Sequence, residues 1–419
     1  MSKLPKGWEI KSIKDLKLDI SDGNYSSKYP TQNDFIECGV PFIRANNIKS
    51  MTVIDKDMRF ISEKQHNELK KGHLKKNDIL ITTRGDIGQV ALVPDKYISA
   101  NINAQIVRIG VSESIFFKYL AYILTYEETQ KNIKSLETGT ALKQLPVKKL
   151  DLLNIPLPPL EEQKKIADIL STVDKKIAFV EENINATEEL KKSLMQKLLT
   201  EGIGHTEFKD SELGRIPQSW EIVTLNNIIS LLTDYHANGS YEKLKENVEL
   251  LEKENYAVMI RTTNFENNDF ENNLIYITEH AYDYLKKSKV NENDIVINKI
   301  ANAGATYIMP KMSKPVSLAM NLFLLKLINT VDNKFVYLQI KKREENLKAL
   351  ASGTSTKTIT KNDVKNFVIA LAPIEEQKQI AEILSTVDKK LENLKEKKQS
   401  FEELKKGLMQ KLLTGEVRV

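Results

Sequence analysis

Hydrophobic residues spaced alternately four and three positions apart form the clearest pattern in the chain, and the pattern occurs twice. The first copy contains Ile166, Leu170, Val173, Ile177, Val180 and Ile184, and the second contains Ile380, Leu384, Val387, Leu391 and Leu394, followed by Lys398 and Phe401. A mean spacing of about 3.5 residues is typical of a coiled-coil seam. Proline precedes each copy, and a Lys-rich turn with glycine, Gly202 or Gly415, follows it, as expected where helices start and stop. The pattern predicts two long helices, residues 160–203 and residues 374–415.

The two helices belong to a tandem repeat that runs through the whole chain. Residues 161–200 align with residues 375–414 without a gap and are about two-thirds identical. Weaker matches join residues 139–163 to 353–377, residues 4–10 to 216–222, and residues 77–94 to 293–310. Between these matches the two halves differ strongly. The helices have therefore stayed alike while the regions between them have diverged.

Those diverged regions have the patterns of two mixed α/β domains, residues 1–159 and residues 216–373. Short hydrophobic runs predict strands, for example DILIT, QVALV, DIVIN and NLFLLKL, and residues 116–134 and 333–350 predict shorter helices. Residues 204–215, GHTEFKDSELGR, are polar and contain glycine, and we interpret them as a linker. The predicted architecture is two mixed α/β (α+β) domains separated by two long helices, with an internal pseudo-two-fold repeat.

The packing of the helices has more than one interpretation. We predict an antiparallel coiled coil between them, which buries both hydrophobic stripes within one molecule. Alternatively, each helix lies along the core of its own domain, or the helices join two copies of the chain. A helix of about 40 residues spans about 60 Å, so a rigid antiparallel pair would hold the two domains at a set separation.

Composition limits the classes of protein to which the chain can belong. With 419 residues, of which 41% are hydrophobic and 28% charged, it is expected to form two or three folded domains. A formal net charge of +5 permits nucleic-acid binding without indicating it. The single cysteine, Cys38, excludes an internal disulfide. We find neither a secretion signal nor a membrane-spanning run, so we expect a cytoplasmic protein.

The sequence lacks the motifs of a catalytic subunit. It has no glycine-rich loop for the phosphates of ATP or for S-adenosylmethionine. Its five histidines are scattered, and a single cysteine argues against a zinc site. We expect no bound cofactor or metal ion and no activity of the chain alone.

Several short motifs recur at matching places in the two halves. Trp-Glu stands near each domain start, at Trp8 and Trp220, and Ile-Arg-x-x-Asn follows, ending at Asn47 and Asn264. Gly-Thr-x-x-Lys precedes Pro-x-Glu-Glu-Gln, which opens each long helix. Over its whole length the chain thus resembles the specificity subunit of type I restriction-modification systems.

The resemblance implies a division of labour among several subunits. Each domain would be a target-recognition domain reading one half of a split, asymmetric double-stranded DNA target. The helices would bind two methyltransferase subunits, which modify adenine and carry S-adenosylmethionine, and separate motor-nuclease restriction subunits would need ATP and Mg²⁺. The alternatives are a coiled-coil scaffold with two protein-binding domains and an enzyme with an unrecognised site.

Arginine, lysine, asparagine and threonine in the recurring motifs are the candidates for DNA contact, because such side chains bind base edges and phosphates. They are Arg44, Asn46, Asn47, Thr83, Arg84 and Lys143 in the first half and Arg261, Thr263, Asn264, Asn298, Lys299 and Lys357 in the second. The segment NKIANAG replaces TTRGDIG in the second half, and we interpret Lys299 as the counterpart of Arg84. Alternatively, Arg44 and Arg261 are structural salt-bridge partners, and Lys143 and Lys357 are surface lysines without a role. Candidate partner-binding residues are Glu161, Glu162, Glu375 and Glu376, in the first helical turns.

Overall fold

A computed structural model describes residues 4–23, 27–140, 142–353 and 356–419. The polypeptide divides into two compact units. The first unit contains Met1–Glu182 and Lys395–Val419, and the second contains Asn183–Leu394. Each unit therefore combines one of the diverged regions with part of both long helices.

The first unit is a mixture of short strands and helices, as the sequence predicts. Its strands are β1 (Glu9–Ser12), β2 (Asp19–Asp22), β3 (Val40–Ile43), β4 (Ile48–Lys49), β5 (Thr52–Val53), β6 (Arg59–Ile61), β7 (Ile79–Thr82), β8 (Val90–Leu92), β9 (Asn101–Ile102), β10 (Ile106–Gly110) and β11 (Asn154–Leu157). Its helices are α1 (Glu63–Glu68), α2 (Phe117–Thr125), α3 (Glu127–Ser135), α4 (Val147–Leu150) and the start of α5 (Leu160–Leu198).

The second unit repeats this composition. Its strands are β12 (Phe208–Ser211), β13 (Gly214–Pro217), β14 (Glu221–Thr224), β15 (Ile229–Asp234), β16 (Ala257–Ile260), β17 (Tyr276–Ile277), β18 (Lys289–Val290), β19 (Ile295–Asn298), β20 (Thr306–Ile308), β21 (Val316–Leu318), β22 (Leu322–Leu327) and β23 (Val368–Leu371). Its helices are α6 (Tyr241–Asn247), α7 (Thr262–Glu266), α8 (Glu279–Tyr284), α9 (Asn333–Lys342), α10 (Glu344–Ala349), α11 (Lys361–Lys365) and the start of α12 (Ile374–Leu413).

Both units contain the same two sheets. An antiparallel four-stranded sheet has the order β2-β10-β7-β8 in the first unit and β15-β22-β19-β20 in the second. The other sheet is built around a parallel pair. In the first unit β3 pairs with β9 and has antiparallel β6 beside it, and in the second unit β16 pairs with β21 and has antiparallel β17 and β18 on its two sides. The duplication predicted from the helices therefore extends through the domains, although their sequences have diverged.

The central strand of each four-stranded sheet separates two hydrophobic cores. In β7, Ile79 and Ile81 join the core that contains the long helices, whereas Leu80 joins the core beneath the smaller sheet. In β19, Ile295 and Ile297 face one core and Val296 faces the other. Burial on both faces explains why these strands are continuous hydrophobic runs rather than alternating ones.

The long helices α5 and α12 pack antiparallel, as predicted. In the first unit, Ile166 and Leu170 near the start of α5 share a core with Leu412 and Leu413 at the end of α12. In the second unit, the start of α12 packs in the same way against the end of α5. Those clusters also contain domain residues such as Tyr119, so each helix start lies along its own domain core as well. The two intramolecular interpretations therefore each describe part of the packing.

Two interhelical ion pairs occupy equivalent positions of the repeat. Asp174 of α5 pairs with Lys405 of α12 at 2.6 Å, and Asp388 of α12 pairs with Lys191 of α5 at 2.5 Å. Asp174 and Asp388 are the same position of the repeat, as are Lys191 and Lys405. Partly exposed ion pairs contribute little stability, so their interest here is geometric. They show that each unit uses the same antiparallel register.

The segment that we interpreted as a linker contains a β-hairpin. Strands β12 and β13 pair antiparallel, and Gly214 has a φ of 93° at the turn. Ile216 is buried in the core of the second unit, and the Arg215 guanidinium lies 4.6 Å from the centre of the Phe208 ring. The polar residues and glycine that indicated a linker are the same types that a hairpin turn requires.

A buried glutamine attaches the first turn of each long helix to its domain. Oε1 of Gln163 accepts a bond from Phe116 N at 2.8 Å, and its Nε2 donates to Pro158 O and Ser114 O. Oε1 of Gln377 accepts from Asp332 N at 2.8 Å, and its Nε2 donates to Ala372 O at 2.7 Å. Each side chain is 1% exposed. The glutamine of the Glu-Glu-Gln motif therefore holds the first turn of each long helix against its domain.

We expect Gln377→Ala to lower the free energy of unfolding by about 2–4 kcal/mol, because it leaves Asp332 N and Ala372 O without their partner. Urea denaturation followed by tryptophan fluorescence measures the loss. The control is Gln379→Ala in the same turn, where the side chain is exposed, and its effect should stay within about 0.5 kcal/mol. Equal effects of the two substitutions would contradict the structural role.

Candidate nucleic-acid interface

In the first unit, the candidate DNA-binding residues lie where strands end. Arg44 follows β3, and Thr83 and Arg84 follow β7. The loop at residues 103–105, between β9 and β10, connects these ends. Asn103 N donates to Ile43 O at 2.8 Å, and Thr83 N donates to Gln105 O at 2.7 Å. We call this set of strand ends and loops the strand-end edge.

The second unit forms the same edge with different side chains. Ala319 N donates to Ile260 O at 2.9 Å, and Lys299 N donates to Asn321 O at 2.7 Å. Arg261 follows β16 and Lys299 follows β19, so they enter the edge as Arg44 and Thr83 do. Both units therefore present loops from two sheets at one place.

The Gly-Thr-x-x-Lys loops reach the same edge. Arg84 and Gln144 form an isolated strand bridge, and the Arg84 Nη2 donates to Gln144 Oε1 at 3.0 Å. This bond brings Lys143, the residue before Gln144, beside the end of β7. In the second unit, Ala301 N donates to Lys357 O at 3.2 Å. The side chains of Lys143 and Lys357 are exposed, whereas Ala141, Thr354 and Ser355 of these motifs lie outside the described residues.

Arg44 and Arg261 share an unusual arrangement. The Nη2 of Arg44 donates to Asp57 O at 2.5 Å, and that of Arg261 donates to Asn273 O at 2.8 Å. Within the described part of the chain, the buried Nε of each arginine has no hydrogen-bond partner. Neither guanidinium forms an ion pair with a described residue. This differs from the alternative in which both arginines are structural salt-bridge partners. A buried donor without an acceptor is costly, and it occurs at the same place in both units.

Burial also affects the charge of one of these arginines. Desolvation, followed by repulsion from the nearby Arg59, lowers the pKa of the Arg44 guanidinium from its usual value. An arginine remains charged at neutral pH despite such a shift. An anion or a base acceptor beside the guanidinium would therefore balance its charge.

The two asparagines of the Ile-Arg-x-x-Asn motif serve the fold. Oδ1 of Asn47 accepts from Arg44 N at 3.0 Å, and its Nδ2 donates to Lys56 O and Ile54 O. Oδ1 of Asn264 accepts from Arg261 N at 3.0 Å, and its Nδ2 donates to Asp269 O. Both side chains are buried. We therefore reassign Asn47 and Asn264 from DNA contact to shaping the loop after the arginine.

The remaining candidates differ in accessibility. Asn46, Thr263 and Arg84 are exposed. Thr83 is buried and its hydroxyl donates to Gln105 O at 3.2 Å. Asn298 is buried, its Oδ1 accepts from the Thr262 hydroxyl at 2.9 Å, and its Nδ2 has no partner among the described residues.

The alignment of Arg84 with Lys299 is wrong by one residue. Arg84 bridges to Gln144, and Ile300 makes the same bridge to Thr358. Lys299 N contacts the 319–321 loop as Thr83 N contacts the 103–105 loop. Gly85 and Ala301 share a left-handed conformation, with φ of 76° and 67°. Arg84 thus corresponds to Ile300, and the second unit has no charged side chain at that point.

Lys299 instead belongs to a small charged cluster. Its Nζ lies 3.3 Å from Asp234 Oδ2, and Lys361 Nζ lies 3.5 Å from Asp234 Oδ1. Both ammonium groups also lie within 6.0 Å of the Phe323 ring centre. One carboxylate and two lysines leave a net positive charge beside the strand-end edge of the second unit.

Sequence reasoning missed the tips of the connecting loops. Gln105 and Asn321 occupy equivalent exposed positions, and Met320, which is 49% exposed, stands where the first unit has Ala104. Gln144, which holds Arg84, was also missed. The sequence match between the two halves ends at Pro94 and Pro310, before these loops. Beyond those residues, only the strands of the structure show which positions correspond.

The four candidate partner-binding glutamates fall into two classes. The side chains of Glu161 and Glu375 are 80% and 77% exposed and pair with Lys164 and Lys378. The side chains of Glu162 and Glu376 are 6% and 12% exposed. The first pair can therefore meet a partner, whereas the second pair cannot.

Glu162 and Glu376 each receive the indole of the Trp-Glu motif. Trp8 Nε1 donates to Glu162 Oε2 at 3.2 Å, and Arg418 adds bonds of 2.8 and 3.1 Å to the two carboxylate oxygens. Trp220 Nε1 donates to Glu376 Oε2 at 2.9 Å, and Oε1 of Glu376 lies 2.8 Å from His205 Nε2. Their assignment to partner binding is corrected, because these bonds fasten each domain to its helix.

Arg418 also sets a pH dependence. Its hydrogen bonds lower the pKa of Glu162 below the usual glutamate range. Because the pKa is lower in the folded state than in the unfolded chain, ionised Glu162 stabilises the fold above that range. The stabilisation is lost as the pH falls through the folded-state pKa.

We expect Arg418→Leu to lower the melting temperature at pH 7, and the difference from the unaltered protein should shrink as the pH falls below the pKa of Glu162. Calorimetry across pH 3–8 measures this. Lys411→Leu, at an exposed position of α12, is the control and should show no such trend. A difference that stays constant with pH would contradict the ionic role of Glu162.

Two kinds of feature are absent from the described residues. No group of three or more histidine, cysteine, aspartate or glutamate side chains there is arranged to hold a metal ion. No described helix is long and apolar enough to cross a membrane.

Comparison with known proteins agrees with the internal repeat. The family model described as the type I restriction modification DNA specificity domain matches residues 5–189 and again residues 217–403. The chain is 31% identical to the type I restriction enzyme MjaX specificity subunit of Methanocaldococcus jannaschii, over 100% of this chain and 96% of that relative. It is 23% identical to the EcoKI specificity subunit of Escherichia coli K12, over 90% and 81%.

The fold is also similar to a solved structure. The crystal structure of a type I restriction-modification S subunit from M. genitalium superimposes with a TM-score of 0.61. The superposition covers 99% of this chain and 97% of that one at 17% sequence identity. The arrangement of elements is therefore shared, although most side chains differ.

Proposed function

The chain belongs to the type I restriction-modification specificity subunits, with two target-recognition domains, and from this we propose that each strand-end edge reads one half of a bipartite double-stranded DNA target. The observation that carries the proposal is a pair of arginines, Arg44 and Arg261, at the same place in both units. Each donates from Nη2 to a backbone carbonyl and forms no ion pair with a described residue, so its charge is not balanced within the described part of the chain. Phosphate and base-edge oxygens or nitrogens are the acceptors that a guanidinium group binds.

The differences between the two edges support an asymmetric target. The first edge places the Arg84 guanidinium against Gln144, which orients a planar fork of the kind that binds guanine O6 and N7. The second edge has Ile300 there and exposes Met320, whose apolar surface suits a thymine methyl group. Two edges with the same backbone and different side chains would read different bases.

Catalysis is assigned to other subunits. We infer that two methyltransferase subunits dock on the repeated helices and supply S-adenosylmethionine for adenine methylation. Motor-nuclease subunits would join through them and use ATP and Mg²⁺. The absence from the sequence of a glycine-rich nucleotide loop supports this division. A subunit reading chromosomal DNA would act in the cytoplasm.

Arg84→Ala should weaken preferred-target binding by about 1–3 kcal/mol and relax base preference in one half-site only. A randomised-target binding selection with the assembled methyltransferase complex measures the preference at every position. Lys143→Ala is the matched control, because loss of a phosphate contact should weaken all targets alike and reduce the salt slope by about one unit. Equal relaxation of both half-sites would refute the one-edge, one-half-site assignment.

The purified chain alone should transfer no methyl group from S-adenosylmethionine to DNA, and transfer should begin when the methyltransferase subunit is added. Incorporation of labelled methyl groups into target DNA measures both states. Its binding to DNA in the complex should weaken steeply with salt. Methyl transfer by the chain alone would overturn the division of labour, and binding insensitive to salt would favour the scaffold alternative.

A further inference from the structure

The loop between β9 and β10 of the first unit is held to its surroundings by several backbone contacts. Asn103 N donates to Ile43 O at 2.8 Å. Gln105 O accepts bonds from Thr83 N at 2.7 Å and from the Thr83 hydroxyl at 3.2 Å. Gly23 packs so closely on the loop that a β-carbon there would lie 2.2 Å from Asn103 O. The backbone of Gln105 is therefore fixed at the strand-end edge.

The side chain of Gln105 is held as well, by the side chain of Asn103. Oδ1 of Asn103 accepts from Gln105 N at 3.1 Å, and Nδ2 of Asn103 donates to Gln105 Oε1 at 3.1 Å. Asn103 is 6% exposed, whereas Gln105 is exposed. A buried amide thus orients an exposed amide at the tip of the loop.

A backbone group determines which way both amides point. The backbone N–H of Gln105 can only donate, so the Asn103 atom that faces it must be the oxygen. The NH2 group of Asn103 therefore faces the Gln105 amide, and because an NH2 group can only donate, it must face Oε1. This bond uses one lone pair of Oε1 and neither hydrogen of Nε2. Gln105 keeps one acceptor site and two donors for a ligand.

An amide with these groups free matches the major-groove edge of one base. Adenine presents N7, which is an acceptor, beside the N6 amino group, which is a donor. Nε2 of Gln105 can donate to N7 while Oε1 accepts from N6. Guanine presents two acceptors, O6 and N7, and so has no donor for Oε1. A side chain that is already oriented also loses less rotamer entropy on binding than a free side chain.

The second unit repeats the loop without the orienting amide. Asn321 corresponds to Gln105, and Ala319 corresponds to Asn103, because the two loops make the same backbone bonds to the neighbouring strand ends. Asn321 is exposed, and the methyl group of Ala319 cannot form a hydrogen bond with it. Alanine therefore supports the same backbone path. The side chain of Asn103 thus serves to hold Gln105 rather than to shape the loop.

We propose that Gln105 reads one adenine of the target in the major groove and that Asn103 is its positioning residue. The inference rests on the proposed function, because it takes the strand-end edge as the surface that meets DNA. Nε2 of Gln105 donates to adenine N7, and Oε1 accepts from the N6 amino group. Gln144 orients Arg84 in a similar way. The first half-site is therefore read by two side chains that are each held by an amide of the protein.

The test uses the full chain assembled with the methyltransferase subunit, in a randomised-target binding selection. Gln105→Ala should lower the preference for adenine at one position of one half-site by about 5- to 150-fold, the discrimination typical of a bidentate pair. Asn103→Ala should lower the preference at the same position by a smaller factor, because Gln105 remains but is no longer oriented. All other positions should keep their preferences in both variants.

A modified base separates the reading of adenine from a structural role. 7-Deazaadenine has a carbon in place of N7 and keeps the N6 amino group, so it lacks the acceptor for Nε2 of Gln105. Placed at the identified position, it should weaken binding of the unaltered complex at least about fivefold. The Gln105→Ala complex should bind both DNAs equally. Fluorescence anisotropy with labelled target DNA measures the four affinities.

Asn321→Gly is the matched control, because it removes an exposed amide from the equivalent position of the other unit. Glycine also accommodates the φ of 73° at this residue. This variant should leave every preference of the first half-site unchanged. Melting temperatures of the Gln105 and Asn321 variants should match that of the unaltered chain, which separates loss of reading from loss of folding.

Three results would overturn the inference. They are unchanged adenine preference in Gln105→Ala, uniform weakening of all targets, which indicates a phosphate contact, and equal sensitivity of both complexes to 7-deazaadenine. In each case, relaxation of one half-site by Arg84→Ala would leave the proposed function standing. An unaltered complex that selects no target sequence would overturn the proposed function together with this inference.

Discussion

Burial of two polar side chains in the first turn of each long helix is the constraint on which each unit depends. A buried glutamine or glutamate is costly unless its hydrogen bonds are satisfied, and here the domain supplies several of them. Gln163 and Gln377 bind backbone groups of the domain, while Glu162 and Glu376 receive its tryptophan. These hydrogen bonds therefore fix the direction in which each helix leaves its domain, because a shifted helix could not form them.

These hydrogen bonds at the helix starts let the two domains differ in side chains while they keep the same arrangement of strands. In each unit the central strand packs on one face against the core that contains the helix start and on the other face against the core beneath the smaller sheet, so the edge at its end keeps its position while its side chains change. Arg84 against Ile300 and Ala104 against Met320 are such changes. In contrast to these changes, the unpaired Nε atoms of Arg44 and Arg261 are present in both units.

Sequence patterns predicted the features that depend on periodicity. The seam spacing predicted both helices and their antiparallel packing, and continuous hydrophobic runs predicted β7 and β19. Features that depend on which polar group becomes buried were not predictable. Asn47 and Glu162 are of residue types usually found at surfaces, and nothing local shows that the fold uses them. The pairing of Arg84 with Lys299 was a miscount, because the gapless match of residues 77–94 with residues 293–310 already places Arg84 opposite Ile300. The hairpin at residues 208–217 has the composition of a linker.

Ala301 shows that a backbone turn can be kept by a residue that does not favour it. It adopts the left-handed backbone conformation that Gly85 adopts in the first unit, although this conformation costs a residue with a β-carbon about 1–2 kcal/mol. The backbone path is thus the same in both units, although only the first unit has glycine there. A lineage built this way can acquire new sequence preferences by point substitutions on a conserved scaffold, with no need to invent a new loop for each one.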